Sequence, residues 1–138
     1  MVCHLFKYMQ LATITEQKEQ NMNFAEQFKA NEGQFAIDLG TTHHFSSGVY
    51  AKEMHLPKGY VAMSHAHNYD HLSILGKGRV IVRTDNDAIE YTAPACLTVK
   101  AKTYHQIEAL EDAVWFCIHA AEETDADKID EVLICREC

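Results

Sequence analysis

Between residues 48 and 119 the chain offers a succession of strand-length segments with no stretch of helical periodicity between them. The segments 48–56, 60–67, 71–75, 79–84, 88–92, 96–99, 104–109 and 114–119 are β-branched or aromatic in character. Most are separated by Gly, Pro, Asp or Asn, and Arg79-Val-Ile-Val-Arg83 before Asp85-Asn-Asp87 marks a hairpin. Short strands this close together, without crossover helices, predict an all-β sandwich or jelly-roll barrel rather than a βαβ sheet.

Short helices are expected at either end of that barrel. Asn23 and Glu26 form a capping-box pattern opening a helix over 24–31, with Phe24 and Phe28 one turn apart and Gly33 closing it. A second helix is expected over 125–134, capped by Thr124, with Ile129, Val132 and Leu133 as its apolar stripe. At 138 residues the chain has the length of one domain. We place the barrel domain at 22–138 and read 1–21 as a dispensable extension, because Met22-Asn-Phe-Ala-Glu reads as a second start.

The formal net charge of −8 argues against nucleic acid as a partner, since phosphate-backbone binding requires clustered Lys and Arg. The acid is concentrated between Glu111 and Glu131, which would repel an anionic membrane as well. The first fourteen residues are too short to cross a membrane and lack a small-residue cleavage site. The five cysteines are irregularly placed, which suggests a reduced, cytoplasmic chain. Cys135-Arg-Glu-Cys138 has CxxC spacing but no second pair to complete a zinc site, so it is read as a frayed, silent tail.

Nine histidines are distributed unevenly. His65 and His67, two residues apart on a predicted strand, share a face with Val61 and Met63, which would aim both rings inward. His71 follows at the start of the next strand. His105 shares a strand face with Ile107 and Ala109 and also points inward. Neutral imidazoles that converge from separate strands are ordinary ligands for zinc, iron, copper or nickel. The alternative is a set of barrel-lining histidines satisfied by their neighbours.

The run Gly59-Tyr-Val-Ala-Met-Ser-His65-Ala-His67-Asn-Tyr-Asp-His71-Leu-Ser-Ile-Leu-Gly-Lys-Gly78 resembles the first cupin motif, G-x5-H-x-H-x3-E-x6-G. Four of its five marked positions match, and His71 stands where the family has Glu. After fifteen residues, 94–109 fall in register with the second motif, G-x5-P-x-G-x2-H-x3-N. Only His105 matches there; Pro94, Lys100, Lys102 and Ala109 replace Gly, Pro, Gly and Asn. The resemblance covers about a third of the chain and implies a cupin barrel holding a metal through His65, His67, His71 and His105. It also implies one divalent transition metal, iron(II) first, with manganese, nickel or zinc as alternatives. Exchanging Glu for His71 would leave the centre more positive and favour an anionic substrate.

Tyr69, between His67 and His71, is the candidate catalytic side chain; it could instead pack at the barrel mouth. Asp70 is the rival carboxylate, but its position points the opposite way from His71, so it reads as a loop residue or a partner behind the ligands. Lys100 and Lys102 are candidate rim charges for an acidic substrate, or a solvated strand edge. His43 and His44 read as surface loop residues, and Cys96 as a small core residue. Trp115, Cys117 and His119 share one face of the last strand, with His119 read as a core histidine or a residue behind the centre. The opposite face, Val114, Phe116 and Ile118, is equally apolar, which suggests a homodimer.

These readings converge on a metal-dependent dioxygenase or related oxidoreductase acting on a small molecule, an acidic one among the candidates. A non-catalytic binding module, or a metal-dependent isomerase or hydrolase, uses the same residues. Metal affinity is expected to fall below about pH 6, where free imidazole takes up a proton.

Overall fold

The computed structural model describes residues 6–10, 23–30 and 40–138. Among the described residues ten strands make two five-stranded sheets. The first sheet contains β1 (Phe6–Gln10), β4 (Tyr60–Ser64), β9 (His105–Ala109), β6 (Arg79–Arg83) and β7 (Ala88–Thr92), in the order β1-β4-β9-β6-β7. The second contains β2 (Thr42–Ser46), β3 (Val49–Leu56), β10 (Ala113–Ala120), β5 (His71–Lys77) and β8 (Ala95–Val99), in the order β2-β3-β10-β5-β8. Every paired ladder is antiparallel. This is the jelly-roll architecture that the strand spacing predicts.

All of the expected strands form, most with their ends shifted by a residue or two, while the second ends at Ser64. β1 and β2 add to them. β1 lies inside the segment expected to be a dispensable extension and pairs with β4 from Phe6↔Ser64 to Gln10↔Tyr60. The expected start at Met22 would therefore expose the edge of β4. His43 and His44 stand in β2, not in a loop. Helix α1 (Phe24–Ala30) carries the capping box, in which the Glu26 N–H donates to Asn23 Oδ1 at 2.9 Å and the Asn23 N–H to Glu26 Oε2 at 3.1 Å. The Phe24 and Phe28 side chains and Gly33 lie outside the described residues. Helix α2 is shorter than expected, Ile129–Leu133, preceded by Lys128 rather than by Thr124. No helix among the described residues is long and apolar enough to cross a membrane.

The core sits between the sheets because alternate residues of each strand face inward. Met54, Leu56, Ala62, Leu75, Val80, Ile107 and Trp115 form its centre and are essentially inaccessible to solvent. The inward row of β4 runs through Ala62 and Ser64, which oppose Ile107 and His105 across the ladder. That corrects the expected face, since Val61 and Met63 are buried on the other side of the strand. Several inward rows change character along their length in the same direction. Leu75 gives way to Ser73 and His71 on β5, Trp115 to Cys117 and His119 on β10, and Ile107 to His105 on β9. Register aligns these changes, with Cys117 opposite both Lys52 and Ser73, and His119 opposite Tyr50. One end of the barrel is therefore apolar and the other is lined with polar, titratable side chains.

The polar end is covered by the C-terminal segment. Ile129 and Leu133 of α2 pack on Tyr50. Beyond the helix, Cys135 and Cys138 are joined as a disulfide, and the Tyr104 hydroxyl donates to the Cys138 carbonyl at 3.2 Å. The expected frayed tail is in fact docked. Of the remaining cysteines described, Cys117 is buried, and Cys96 is exposed rather than in the core.

Candidate metal centre

His67, His71 and His119 form a cluster of rings. Their centroids lie 4.7 Å apart for His67–His71, 4.9 Å for His67–His119 and 4.2 Å for His71–His119. His71 and His119 are near-parallel at 28°, and His67 stands edge-on to His71 at 71°. His105 enters from the opposite sheet and is also buried; a charge on His71 would act on it, and its own would act on His67. Three of the four histidines expected at the centre are thus buried at one end of the barrel, joined by His119. His65 lies one residue beyond β4 and is only half-buried. Its charge nevertheless acts on the buried His67, so it stands near the cluster without being enclosed in it.

His67 lies beyond any regular strand, and its place is set by backbone hydrogen bonds on both flanks. The Lys102 N–H donates to the His67 carbonyl at 2.8 Å. The Cys135 N–H donates to the Ala66 carbonyl, and the Asn68 N–H to the Leu133 carbonyl, each at 2.9 Å. Asn68 Nδ2 adds bonds to the carbonyls of Val132 and Ile134 at 3.3 and 3.1 Å. An isolated bridge pairs His67 with Ile134. The C-terminal segment therefore holds the loop that carries this ring.

The electrostatics keep the rings uncharged. Burial pushes His67 down to about 2, and the neighbouring histidines act in the same direction. His119 falls to about 3, again through burial first and then through His71 and Lys52. His71 falls to about 4 through burial, opposed by the Asp70 carboxylate. His105 also falls to about 4 through burial, opposed by the nearby Thr103 backbone, although neither of its ring nitrogens makes a well-formed hydrogen bond. Both ring nitrogens of His71 and Nδ1 of His67 are likewise buried without a hydrogen-bond partner. Buried polar atoms are nearly always satisfied, so orphaned nitrogens on three neighbouring rings set this region apart. Neutral imidazoles with free nitrogens are the donor type a divalent transition metal takes, so the chemistry of these rings, though not their present spacing, suits the ion that the resemblance implies. As they stand, no three His, Cys, Asp or Glu donors among the described residues are gathered tightly enough to hold an ion.

The other candidates separate clearly. Tyr69 is 66 % exposed and does not pack at the mouth. Asp70 is turned to the 100–102 loop, accepting from Lys100 Nζ at 3.0 Å and from the Ala101 N–H at 2.8 Å. These bonds lower its pKa and engage it away from the cluster. Lys100 is thereby neutralised, which weakens the case for an acidic substrate. His43 Nδ1 shares a hydrogen bond with the Tyr50 hydroxyl at 2.7 Å, and His44 pairs with Glu53 at 2.8 Å. Sequence reasoning underrated His119. The signal was present in the inward row Trp115, Cys117, His119, but pairing of the last strand with β5, which places His119 beside His71, is a long-range fact.

Two openings reach the cluster from different sides. A pocket of about 260 Å³ has His105 in its wall, with Val82, Ile89, Tyr91, Leu97 and Val99 as the apolar part of its lining and Asp87, Lys100 and three threonines as the polar part. A shallower one of about 360 Å³ is bordered by His71 and His119, with Val49, Leu72 and Ile118 around them.

No protein-family model matches the sequence, and comparison with curated proteins finds no match. Solved structures do match. A cupin-2 domain containing protein from Shewanella frigidimarina superposes with a TM-score of 0.52 at 13 % identity, covering 75 % of this chain and 97 % of its own. A cupin superfamily protein from Desulfitobacterium hafniense gives a TM-score of 0.51 at 16 % identity, covering 63 % and 83 %. A protein from Photorhabdus luminescens gives 0.55 at 16 % identity, covering 70 % and 86 %. At such identities the likeness concerns the backbone, and it agrees with the strand order and with the motif at 59–78. This chain has the cupin fold.

Proposed function

We propose that this protein is a metal-dependent cupin of the dioxygenase or oxidoreductase type, acting on a small molecule bound beside His105. The observation that carries the reading is the group of buried, neutral imidazoles with unpartnered nitrogens at the polar end of the barrel. His67, His71 and His105 would hold the ion. When bound, a divalent metal supplies a Lewis-acid centre with open positions for substrate and for dioxygen or water. The chain's own residues do the rest. Val82, Ile89, Tyr91, Leu97 and Val99 would exclude water from the apolar part of the substrate, which favours a compact, largely apolar molecule over a strongly acidic one. Tyr69, exposed beside the cluster, is free to close over it. A homodimer belongs to the same reading, because Val114, Phe116 and Ile118 on the outer face of β10 are only half-buried in the single chain.

A second reading, a binding module or a non-redox Lewis-acid enzyme, is favoured by one feature: the ring cluster is all imidazole, whereas many iron oxygenases pair two histidines with a carboxylate. The test is elemental analysis of protein purified without chelators, followed by oxygen-uptake assays across small diketones and carboxylic acids. The expected result is one metal per chain, with turnover lost in His67→Ala and His105→Ala. Stoichiometric metal without oxygen consumption after iron, manganese and nickel reconstitution would favour the second reading. Protein that takes up no metal at all would end both.

A further inference from the structure

We propose that the Cys135–Cys138 disulfide is a thiol–disulfide exchange site, opened in the folded protein by a small dithiol and closed again by a small disulfide, and that opening it loosens the loop that carries His67. No ion is needed, so the metal-dependent reading above can fail without touching it. Three observations carry it.

The first is access. A hollow of about 690 Å³ has both cysteines in its wall. Cys135 is 9 % exposed and Cys138 is half-buried, so Cys138 is the more open of the two. Disulfides within reach of solvent are the ones that exchange with small thiols. The same wall carries Lys102 and Arg136 against Asp85 and Glu137, a balance of charge that suits an uncharged dithiol. The second is anchorage. The disulfide closes a loop with a sequence separation of 3, and its two ends are tied to different parts of the barrel. At one end the Cys135 N–H donates to the Ala66 carbonyl at 2.9 Å. At the other the Tyr104 hydroxyl donates to the Cys138 carbonyl at 3.2 Å, one residue ahead of β9. Cutting the S–S bond leaves these anchors joined only through the exposed Arg136 and Glu137. The third is what hangs on the first anchor. The His67–Ile134 bridge and the Asn68 bonds to the carbonyls of Val132, Leu133 and Ile134 all involve the stretch that the disulfide pins.

The exchange is balanced by the dithiol itself. One of its thiolates attacks Sγ of Cys138 and displaces Cys135 as a thiolate, which takes up a proton. The second thiol then attacks the reagent's own sulfur in the mixed disulfide, releases Cys138 and closes a cyclic disulfide. Two electrons and two protons pass from the dithiol to the protein.

The test treats the full, folded chain with dithiothreitol, traps thiols with iodoacetamide and reads the labelled positions by mass spectrometry. Cys117, buried in the barrel with its Sγ accepting from Trp115 Nε1 at 3.3 Å, reports global opening within the same molecule. Cys135 and Cys138 are expected to label at least roughly a hundredfold faster than Cys117. Replacing the dithiol with oxidised glutathione should close the bond again. In reduced, unalkylated protein, hydrogen exchange at the Asn68 and Lys102 amides should quicken roughly five- to thirtyfold, with β10 amides unchanged relative to global stability. If Cys135 and Cys138 label only as fast as Cys117, reduction requires unfolding and the proposal fails. Reduction that leaves Asn68 and Lys102 exchanging as before refutes the link to the His67 loop. A pair that stays as thiols in oxidised glutathione overturns the proposal as well.

Discussion

Lys102 adopts φ 60°, the left-handed region in which a side chain costs about 1–2 kcal/mol. It stands where the second motif of the resembled family has glycine, the residue to which this region costs nothing. The conformation is held because the Lys102 N–H bonds the His67 carbonyl. Lys102→Gly should therefore leave that bond intact and relieve the strain, part of which glycine returns as chain entropy in the unfolded state. The expected outcome is a gain of up to about 1 kcal/mol, read as a higher denaturant midpoint with unchanged slope. A lower midpoint would show that the lysine stem contributes packing that outweighs its backbone cost. Gly78 has the opposite character. At φ +85° an added Cβ would sit 2.3 Å from the Asp112 carbonyl oxygen, so the last glycine of the first motif is dictated by close backbone approach.

Among the elements, the strands were legible from local pattern and the C-terminal segment was not. Period-two alternation marks β5, β9 and β10 because each buries one face on the core, and it ends where the strand does. That is why extending the Val61–Met63 parity through His65 to His67 failed: β4 stops at Ser64, and the path beyond is set by contacts with residues 132–135. CxxC spacing by itself carries no information about docking. Here Cys135 is nearly buried and its N–H is spent on the Ala66 carbonyl. Opening the disulfide through Cys138→Ser should cost about 2 kcal/mol on chain-entropy grounds for so short a loop. It should also loosen residues 66–68 selectively. Hydrogen exchange is the measurement: faster exchange at Asn68 and Cys135, with β9 and β10 amides unchanged relative to global stability, is expected. Uniform acceleration would mean that the segment acts only through overall stability.

For the molecule as a whole, the gathered histidines set its response to acid. Their folded pKa values, about 2 for His67, 3 for His119 and 4 for His71 and His105, lie below the free value of 6.5. The unfolded chain thus takes up protons as pH falls through 6.5, while the folded chain does not until far lower. Stability is complete above pH 6.5 and is lost below it, at up to about 1.4 kcal/mol per pH unit for each ring. Four rings acting together make this several kcal/mol by pH 5.5, a large part of a typical domain's total. The metal-free protein should show a denaturant midpoint that is level from pH 8 to 7 and falls steeply between 6.5 and 5. A midpoint flat to pH 5 would mean that the rings are not buried in solution. On the proposed metal-dependent reading, buried rings give a different expectation from free imidazole: they stay unprotonated while the fold lasts, so affinity should outlast pH 6 and fail through unfolding.

The attachment of residues 132–135 to the His67 loop bears on how the molecule is made. Synthesis runs from the amino end, so these residues leave the ribosome after every histidine has already emerged. A nascent chain that stops short of them can pair its earlier strands, but it has nothing to draw the His67 ring into place. Maturation of the site is thus deferred until translation has passed that point, and on the proposed metal-dependent reading an ion offered sooner would meet an incomplete receptacle.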